Sequence, residues 1–351
     1  MNSTGDPYRG RTRPTIGWDL GGIHIKAALV DESGIEAVAQ VPCLLWQGVE
    51  ALDASLQALP AWAREEACHA VTMTGELCDA FSSRHEGVAE LVRWATHRLN
   101  GPVRIYAGRV GFMAPEPSLR AAPDVASANW HATARLVGRR CGDALLVDVG
   151  STTADLIPVI AGNPRAQGYS DAERLRTGEL VYTGAVRTPL MALGPRVPFR
   201  GHWVGLMAEH FATTADIHRL LGTLDGDADQ QEAADGRGKS IPETETRLAR
   251  MIGCDRADAT PAEWRELAAA FADAQLARLV EAARQVLSAS PLPGDAPLVG
   301  CGAGRFIAER LAGRLARPYR DLNDILAPGL DNAWISTCAP AVAVALLSLS
   351  E

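Results

Sequence analysis

The sequence predicts an α/β protein built from two similar halves. Each half contains an apolar strand that runs into Asp-x-Gly, a short turn and a second apolar strand: TIGWDLGGIHIKAALVD from Thr15 and ALLVDVGSTTADLIPV from Ala144. The 351 residues suffice for two domains of about 150 residues each. In a duplicated α/β chain we expect the ligand in the cleft between the halves.

The elements of the first half follow from apolar runs separated by turn residues. Three short strands are predicted within residues 15–43, a helix interrupted by Pro60 within 48–68, and then a strand that ends at Glu76. A helix over 77–99, the strand VRIYAG and a helix in DVASANWHATARLVGRRC complete this half.

The second half begins with a repeat of the strand pair, at 144–149 and 153–161, and GELVYTGAV is a further strand pair. Helices are predicted at 204–222, 243–252 and 261–289. The last of these has a threonine cap followed by proline in its first turn. The acidic, turn-rich DGDADQQEAADGRGKS is interpreted as a surface loop.

Two segments near the end of the chain complete the predicted fold. APLVGCGAGRFIAERLAG has the order strand, glycine loop and helix, and APAVAVALLSL is a helix with too little polar surface to stand alone. We therefore expect a loose tail at 1–13, a first domain at 14–125 completed by the C-terminal helix at 338–351, and a second domain at 126–337 with a helical insertion.

Composition and charge exclude several classes of protein. The net charge of −8 argues against a general nucleic-acid or anionic-membrane binder. No apolar run approaches the roughly 20 residues of a membrane span, and the polar N-terminus lacks the apolar core of a secretory signal. The seven cysteines are scattered without CxxC spacing, which favours reduced thiols and a cytoplasmic protein.

The paired hairpins are suited to binding phosphate. Glycine allows backbone N–H groups to approach an anion, successive N–H groups form an anion-binding nest, and hydroxyls and a lysine add donors. A lone Asp-x-Gly-Gly is more often a simple turn, but its recurrence in both halves favours a phosphate site. The residues expected to bind phosphate are Gly21, Gly22, Lys26, Gly150, Ser151, Thr152 and Thr153.

The hairpin acids, Asp19 and Asp148, would repel a polyphosphate unless a divalent cation lay between them and the anion. Mg²⁺ uses one or two carboxylates together with waters and substrate phosphates. We therefore expect Mg²⁺ on these two residues, with Asp155 as a candidate third ligand. The histidines His202, His210 and His218 lack a metal-binding spacing and are expected to be core or surface residues.

Both hairpins resemble the phosphate-1 and phosphate-2 motifs of the sugar kinase, Hsp70 and actin superfamily. LVGCGAGRFIAERLA resembles the third glycine motif of that superfamily, which contacts adenosine in ATP-binding members. The resemblance implies two RNase H-like domains around a central cleft, and it adds Gly302 and Gly304 to the expected phosphate-binding residues.

A narrower resemblance covers most of the chain. DVASANWHATA, DVGSTTADLIP, RLRTGELVYTGAVRTPLMAL, AEHFATTADIHRLLG, AADGRGKS and ETRLARMIGCD together resemble the hydantoinase/oxoprolinase-related proteins of tetrahydromethanopterin-linked one-carbon metabolism. The archaeal members of that group are similar to the furan-methanamine synthase of methanofuran biosynthesis. The resemblance implies a transferase that joins an aminomethyl-furan methyl diphosphate to the phenol oxygen of a tyrosine- or tyramine-type acceptor and releases diphosphate.

Such a reaction needs stabilisation of the leaving diphosphate and a base for the acceptor phenol. Asp19, Asp148 and Lys26 are the candidates for the first task. Glu76, at a strand end, is the first candidate base, and Asp79 is the second. The alternative for Glu76 is an acid that only starts a helix.

Four further residues are candidates for substrate binding. Asn129 and Trp130 suit a polar ring, or else are a capping amide and a core side chain. Arg176 and Arg187 suit phosphate or a carboxylate, or else form surface ion pairs. The main alternative function is an ATP-dependent small-molecule kinase or amidohydrolase-like subunit, and another is a non-catalytic scaffold.

Overall fold

The computed structural model describes residues 13–329 and 332–351. The chain forms two compact units, Met1–Arg140 with Ala327–Glu351, and Cys141–Leu326. The predicted tail at 1–13 lies outside the described residues except for Arg13. The units divide after residue 140 because the helix of the ASANWHATA segment, predicted as the start of the second domain, makes its contacts with the first unit.

The first unit contains a six-stranded sheet in the order β3-β2-β1-β4-β5-β6. Its central strand β1 is wholly buried, and it pairs antiparallel with β2 and parallel with β4. The order 3-2-1-4-5 with a reversed second strand is the RNase H-like arrangement. The strands are β1 Thr15–Leu20, β2 His24–Asp31, β3 Gly34–Pro42, β4 Cys68–Met73, β5 Val103–Tyr106 and β6 Phe112–Met113.

Helices cover both faces of this sheet. The helices that precede residue 142 are α1 Glu50–Ala58, α2 Arg84–Arg98, α3 Pro115–Arg120, α4 Ala122–Val125 and α5 Asn129–Cys141. The predicted helix over 77–99 is wrong at its start, because residues 76–80 form turns and Ser83 caps α2 by accepting from the Glu86 N–H. The predicted helix DVASANWHATARLVGRRC is broken after Val125, where Ser127 adopts a positive φ of 50°.

The second unit repeats the same sheet order, as β10-β8-β7-β13-β14. Strand β7 pairs antiparallel with β8 and parallel with β13, as β1 does with β2 and β4. A separate hairpin is formed by β11 and β12. The strands are β7 Ala144–Val149, β8 Ala154–Ile160, β9 Asn163–Pro164, β10 Leu180–Val181, β11 Arg196–Phe199, β12 His202–Gly205, β13 Leu298–Cys301 and β14 Tyr319–Asp321.

The helices of this unit divide between the sheet and an insertion that has its own apolar core around Trp264 and Phe271. The predicted helix at 261–289 is confirmed with its Thr260 cap and capping box. The prediction at 204–222 is wrong before residue 214, because β12 extends to Gly205 and residues 206–213 connect it to α7. The helices are α6 Asp171–Thr177, α7 Thr214–Leu221, α8 Ile241–Met251, α9 Pro261–Ala289, α10 Arg305–Arg314 and α11 Leu322–Leu326.

The acidic segment at 225–240 is more than a surface loop. Asp229 is buried and pairs with Arg219 and with Lys239, while Asp235 pairs with Arg247, a wholly buried arginine of α8. The ion pairs explain how so acidic a segment is held against the insertion, since buried charges need partners.

The chain ends in α12 Ala333–Thr337 and α13 Ala339–Leu349. Helix α13 packs on β1 of the first sheet, as its apolar composition predicts. The contact is so close that a Cβ on Gly17 would lie 2.0 Å from the Ala341 carbonyl oxygen. Among the described residues, no helix combines the length and apolar character required to cross a membrane.

Candidate functional site

The first hairpin holds an acid opposite a lysine. Asp19 lies near the end of β1, is 4% exposed, and stands directly opposite Lys26 in the β1–β2 register. The Lys26 Nζ lies 3.8 Å from Asp19 Oδ2. The turn between them is closed by the Gly21 N–H, which donates to the His24 carbonyl at 3.0 Å. A carboxylate–ammonium pair therefore lies beside the glycine turn.

The two glycines of this turn differ in what surrounds them. A Cβ on Gly21 would meet the His24 carbonyl oxygen at 2.7 Å, so glycine is required there for the turn itself. A Cβ on Gly22 would meet no atom closer than the Cys78 Cβ at 3.6 Å. A side-chain methyl group would therefore fit at Gly22 without displacing a neighbouring atom.

Glu76 follows β4 and is wholly buried. Helix α2 covers it, because a Cβ on Gly87 would lie 2.2 Å from the Glu76 carbonyl oxygen. Its carboxylate Oε1 accepts a hydrogen bond of 2.6 Å from the half-buried Ser127 hydroxyl. The alternative that Glu76 only starts a helix is wrong, since it lies in a turn. The second candidate base, Asp79, is exposed on that turn.

Ser127 was not predicted as a functional residue. It adopts φ 50°, a left-handed backbone conformation that is uncommon for a residue other than glycine and that concentrates at functional sites. The residue lies between α4 and α5 within the unusual ASANW stretch, which is the sequence signal that marks it. Its hydroxyl donates a hydrogen bond to the buried carboxylate of Glu76.

Asn129 and Trp130 lie at the start of α5. Trp130 is 2% exposed, and its ring lies edge-on to the His131 ring at a centroid distance of 5.4 Å. His131 in turn shares a 2.9 Å hydrogen bond with the Tyr106 hydroxyl, and burial lowers the pKa of His131 to about 4. Trp130 is thus a core residue in this structure, and only the half-buried Asn129 reaches solvent.

The second hairpin repeats the geometry of the first with different charges. Asp148, 6% exposed, lies near the end of β7 and faces Asp155 on β8. The turn is closed by the Gly150 N–H, which donates to the Thr153 carbonyl at 2.9 Å. A Cβ on Gly150 would find its nearest atom at 3.5 Å. The Ser151 hydroxyl oxygen is buried and has no hydrogen-bond partner among the described residues.

A turn at residues 183–188, here called the Thr183–Thr188 turn, packs against this hairpin. The N–H groups of Ala185 and Val186 donate to the carbonyls of Gly150 and Ser151 at 2.9 and 3.1 Å. The Arg187 guanidinium donates to the Thr152 hydroxyl at 3.3 Å. Of the two predicted arginines, Arg187 is therefore the one beside the hairpin.

Arg176 does not occupy a comparable place. It is exposed on α6, whereas Arg174, two residues earlier, is 2% exposed and forms an ion pair with Asp155. The buried arginine of the RLRTGE motif is thus Arg174. Its guanidinium compensates the acid that faces Asp148.

Gly302 and Gly304 pack under the second hairpin. A Cβ on Gly302, where φ is +84°, would lie 2.3 Å from the Val149 carbonyl oxygen and 2.5 Å from Asp148 Oδ1. A Cβ on Gly304 would lie 2.6 Å from Val149 Cγ1. Close packing of strand and loop therefore requires both glycines, whether or not they contact a ligand.

The donor set at the second hairpin fits Mg²⁺ in chemistry, because Asp148 and Asp155 are facing carboxylates and Mg²⁺ prefers carboxylate oxygens. No group of three or more His, Cys, Asp or Glu that could hold a metal occurs in the described residues. His202 and His210 are exposed. His218 is buried and bonds Gln275 at 2.8 Å, and burial lowers its pKa to about 4.

Comparison with known proteins shows to which family the chain belongs. The family model described as hydantoinase/oxoprolinase matches residues 67–349. The chain belongs to the hydantoinase/oxoprolinase family. The match includes Glu76, the Ser127 turn and the whole second unit.

The chain is also similar to two archaeal enzymes. It is 36% identical over 188 residues, 53% of this chain and 57% of the relative, to the (4-{4-[2-(gamma-L-glutamylamino)ethyl]phenoxymethyl}furan-2-yl)methanamine synthase of Methanocaldococcus jannaschii. It is 33% identical over 113 residues, 32% of this chain and 50% of the relative, to the enzyme of the same name from Methanococcus vannielii. The chain spans about half the length of the curated relatives it matches.

A solved structure supports the fold. The nucleotide-free structure of acetone carboxylase has a TM-score of 0.58 at 12% identity, covering 95% of this chain and 70% of that chain. At this identity the similarity concerns the fold alone. Together with the two sheets of order 3-2-1-4-5, it confirms the predicted α/β class with RNase H-like units.

Proposed function

We propose that this member of the hydantoinase/oxoprolinase family is a biosynthetic transferase. In this proposal, it joins an aminomethyl-furan methyl diphosphate to the phenol oxygen of a tyrosine- or tyramine-type acceptor. The phenol oxygen forms a bond to the furan methylene carbon, the carbon–oxygen bond to diphosphate breaks, and the electron pair leaves with diphosphate. The phenol proton passes to a base.

The relatives supply the chemical class. Their name describes a phenoxymethyl-furan, in which an ether oxygen joins a phenyl ring to the furan methylene. The observation on this chain that carries the proposal is the second hairpin, where Arg187, the Thr152 hydroxyl and the open space at Gly150 come together. A cation, a hydroxyl and an unfilled glycine loop suit a diphosphate oxygen.

Residues of the chain would stabilise the leaving group. Arg187 and Thr152 are fixed before the reaction begins, so their charge and dipole favour the negative charge that develops on diphosphate. Asp148 would hold Mg²⁺, which when bound neutralises phosphate charge. Lys26 is a second cation that suits an anionic group.

The phenol has a reference pKa near 10, so its proton must be accepted near neutral pH. Because Glu76 is wholly buried, the Ser127 hydroxyl would take the proton from the phenol and pass its own to Glu76 Oε1, to which it already donates. Glu76 is thus the base in this proposal and Ser127 is its link to the acceptor.

The test is direct incubation of the full chain and Mg²⁺ with an aminomethyl-furan methyl diphosphate and tyrosine, tyramine or glutamyl-tyramine. Mass spectrometry should detect the ether and an equal amount of free diphosphate. A parallel reaction with ATP replacing the furan diphosphate addresses the kinase alternative. Turnover of ATP with the same acceptors, and none of the furan diphosphate, would overturn the proposal.

A further inference from the structure

The Thr183–Thr188 turn and the residue before it present two exposed side chains from a buried segment. Tyr182, directly after β10, is 63% exposed, and Arg187 is also exposed. Between them, residues 183–186 are all buried. The two exposed side chains, an aromatic ring and a cation, therefore flank a short segment whose other residues are buried.

Several contacts fix this segment against the second hairpin. The Arg187 N–H donates to the Ser151 carbonyl at 3.0 Å, in addition to the bonds made by Ala185 and Val186. A Cβ on Gly184 would lie 2.5 Å from Ser151 carbonyl and Thr152 backbone atoms, so the two backbones are in direct contact. Such packing holds the exposed side chains at a defined distance from the Gly150–Thr153 loop.

A buried amide secures the other side of the turn. The Gln275 Nε2 of α9 donates to the Gly184 carbonyl at 2.8 Å and to the Thr183 hydroxyl at 3.0 Å. His218 bonds the Oε1 of the same amide. The turn thus has little freedom to move when a ligand binds, and rigid placement of a recognition group reduces the entropy lost on binding.

Tyr182 and Arg187 lie at the two ends of this buried segment. Gly184, two residues after Tyr182, lies in backbone contact with Ser151 and Thr152. The Arg187 guanidinium donates to the Thr152 hydroxyl. Both exposed residues therefore lie within two residues of a contact with the second hairpin, and we call Tyr182, Arg187 and Thr152 the Tyr182 cluster.

We propose that the Tyr182 cluster recognises an aromatic methyl diphosphate, with Arg187 and Thr152 on a diphosphate oxygen and the Tyr182 ring packed on the aromatic ring. Only a methylene carbon and an ester oxygen separate ring and first phosphorus in such a molecule, which matches an aromatic side chain beside a phosphate-binding loop. Identification of that ring as furan rests on the proposed function. The recognition itself depends only on the cluster.

Binding, measured by calorimetry with Mg²⁺ present and without acceptor, tests the inference. The probes are benzyl diphosphate, which carries a ring, and inorganic diphosphate, which does not. Tyr182→Ala should weaken benzyl diphosphate binding about tenfold and leave inorganic diphosphate binding unchanged, while Tyr182→Phe should bind both probes as the wild type does. Arg187→Gln should weaken both about tenfold or more.

Trp203 offers a matched control. It is also 63% exposed, but it lies on the β11–β12 hairpin against Arg196, so Trp203→Ala should change neither affinity. Equal effects of Tyr182→Ala on both probes, no effect on either, or no diphosphate binding by the wild type would overturn the inference. Absence of ether formation alongside the expected binding pattern would refute the proposed function alone.

Discussion

Replacement of Gly150 by alanine separates folding from ligand binding at the second hairpin. Its φ lies outside the left-handed region, and an added Cβ would make its closest contact with the Thr153 carbonyl oxygen at 3.5 Å, an ordinary van der Waals distance. The folded protein therefore accommodates the methyl group. Replacement of a glycine also reduces the conformational entropy of the unfolded chain. This stabilises the folded protein by about 0.4–1 kcal/mol where alanine can adopt the native backbone conformation.

The effect on an anion should be opposite. If diphosphate oxygens approach the N–H groups of this loop, a methyl group in the space left open at Gly150 displaces them from hydrogen-bond distance. Loss of one charge-assisted hydrogen bond of about 1.5–3 kcal/mol corresponds to a decrease in affinity of roughly ten- to a hundredfold. We expect Gly150→Ala to have an unchanged or slightly higher Tm and this weaker binding of Mg²⁺-diphosphate.

Thermal unfolding and calorimetric titration of the same preparation supply both measurements. Gly205→Ala is the control, because a Cβ there meets nothing within 4 Å and Gly205 lies at the end of β12. It should leave diphosphate affinity unchanged and, like Gly150→Ala, leave Tm unchanged or slightly higher. Wild-type diphosphate affinity in Gly150→Ala would refute the reasoning and leave Gly150 as a turn residue only. A large fall in Tm would show that the space is not open.

Four other changes test separate parts of the structure. Asp148→Asn should reduce Mg²⁺-dependent diphosphate release at least about a hundredfold if this acid holds the metal; unchanged release rates would exclude the role. Arg174→Met should lower the free energy of unfolding, measured in urea, by about 3–5 kcal/mol, because the buried Asp155 loses its arginine. Arg176→Met, on the exposed face of the helix, should lower the free energy of unfolding by less than about 0.5 kcal/mol. Ser127→Ala should lower kcat for ether formation while KM for the acceptor stays within about twofold; a change in KM alone would contradict the proton path. The pKa of His218 is about 4 in the folded chain, whereas that of a histidine in the unfolded chain is about 6.5. Between these pH values the unfolded chain binds one more proton at this position than the folded chain does. The free energy of unfolding therefore falls as pH decreases, by up to about 1.4 kcal/mol per pH unit. His218→Gln should flatten that slope between pH 6.5 and 4.5, and an unchanged slope in urea unfolding would refute the assignment.

The sheets and the longest helices could be predicted because local signals and tertiary structure agree in these segments. Both hairpins alternate strand and glycine turn in patterns that no helix accommodates. Helix α9 begins at Thr260 with a capping box to Glu263, which is visible in the sequence. The final helix is so apolar that burial was the only stable outcome.

Helix phase explains why Arg174 is buried while Arg176, the arginine that we predicted as a substrate-binding candidate, is exposed. Two residues apart on an α-helix point about 200° from one another, since each residue turns the chain by about 100°. The sequence RLR therefore indicates that one arginine faces inward and one outward. Which is which depends on how α6 packs, and the ion pair with Asp155 decides it.

The site residues beyond the hairpins depended on contacts between segments that are distant in sequence. Ser127 meets Glu76 across 51 positions, and its positive φ gives no signal in composition. For Trp130 the sequence left open a ring-binding residue or a core residue, and the start of α5 turns its side chain into the core. Tyr182 was read as part of a strand, whereas β10 ends one residue earlier and leaves it exposed.

The two hairpins are not equivalent in charge, although the sequence repeat makes them look alike. The facing positions on the first pair of strands carry Asp19 and Lys26, with zero net charge, and the Coulomb attraction of two unit charges at 3.8 Å is about 4 kcal/mol at an effective dielectric near 20, before the cost of desolvation. A metal on Asp19 would compete with that lysine. The facing positions on the second pair carry Asp148 and Asp155, and Arg174 reduces their charge from −2 to −1. Within the proposed function the second hairpin is therefore the better place for a cation, because the first already has the Lys26 ammonium beside its acid.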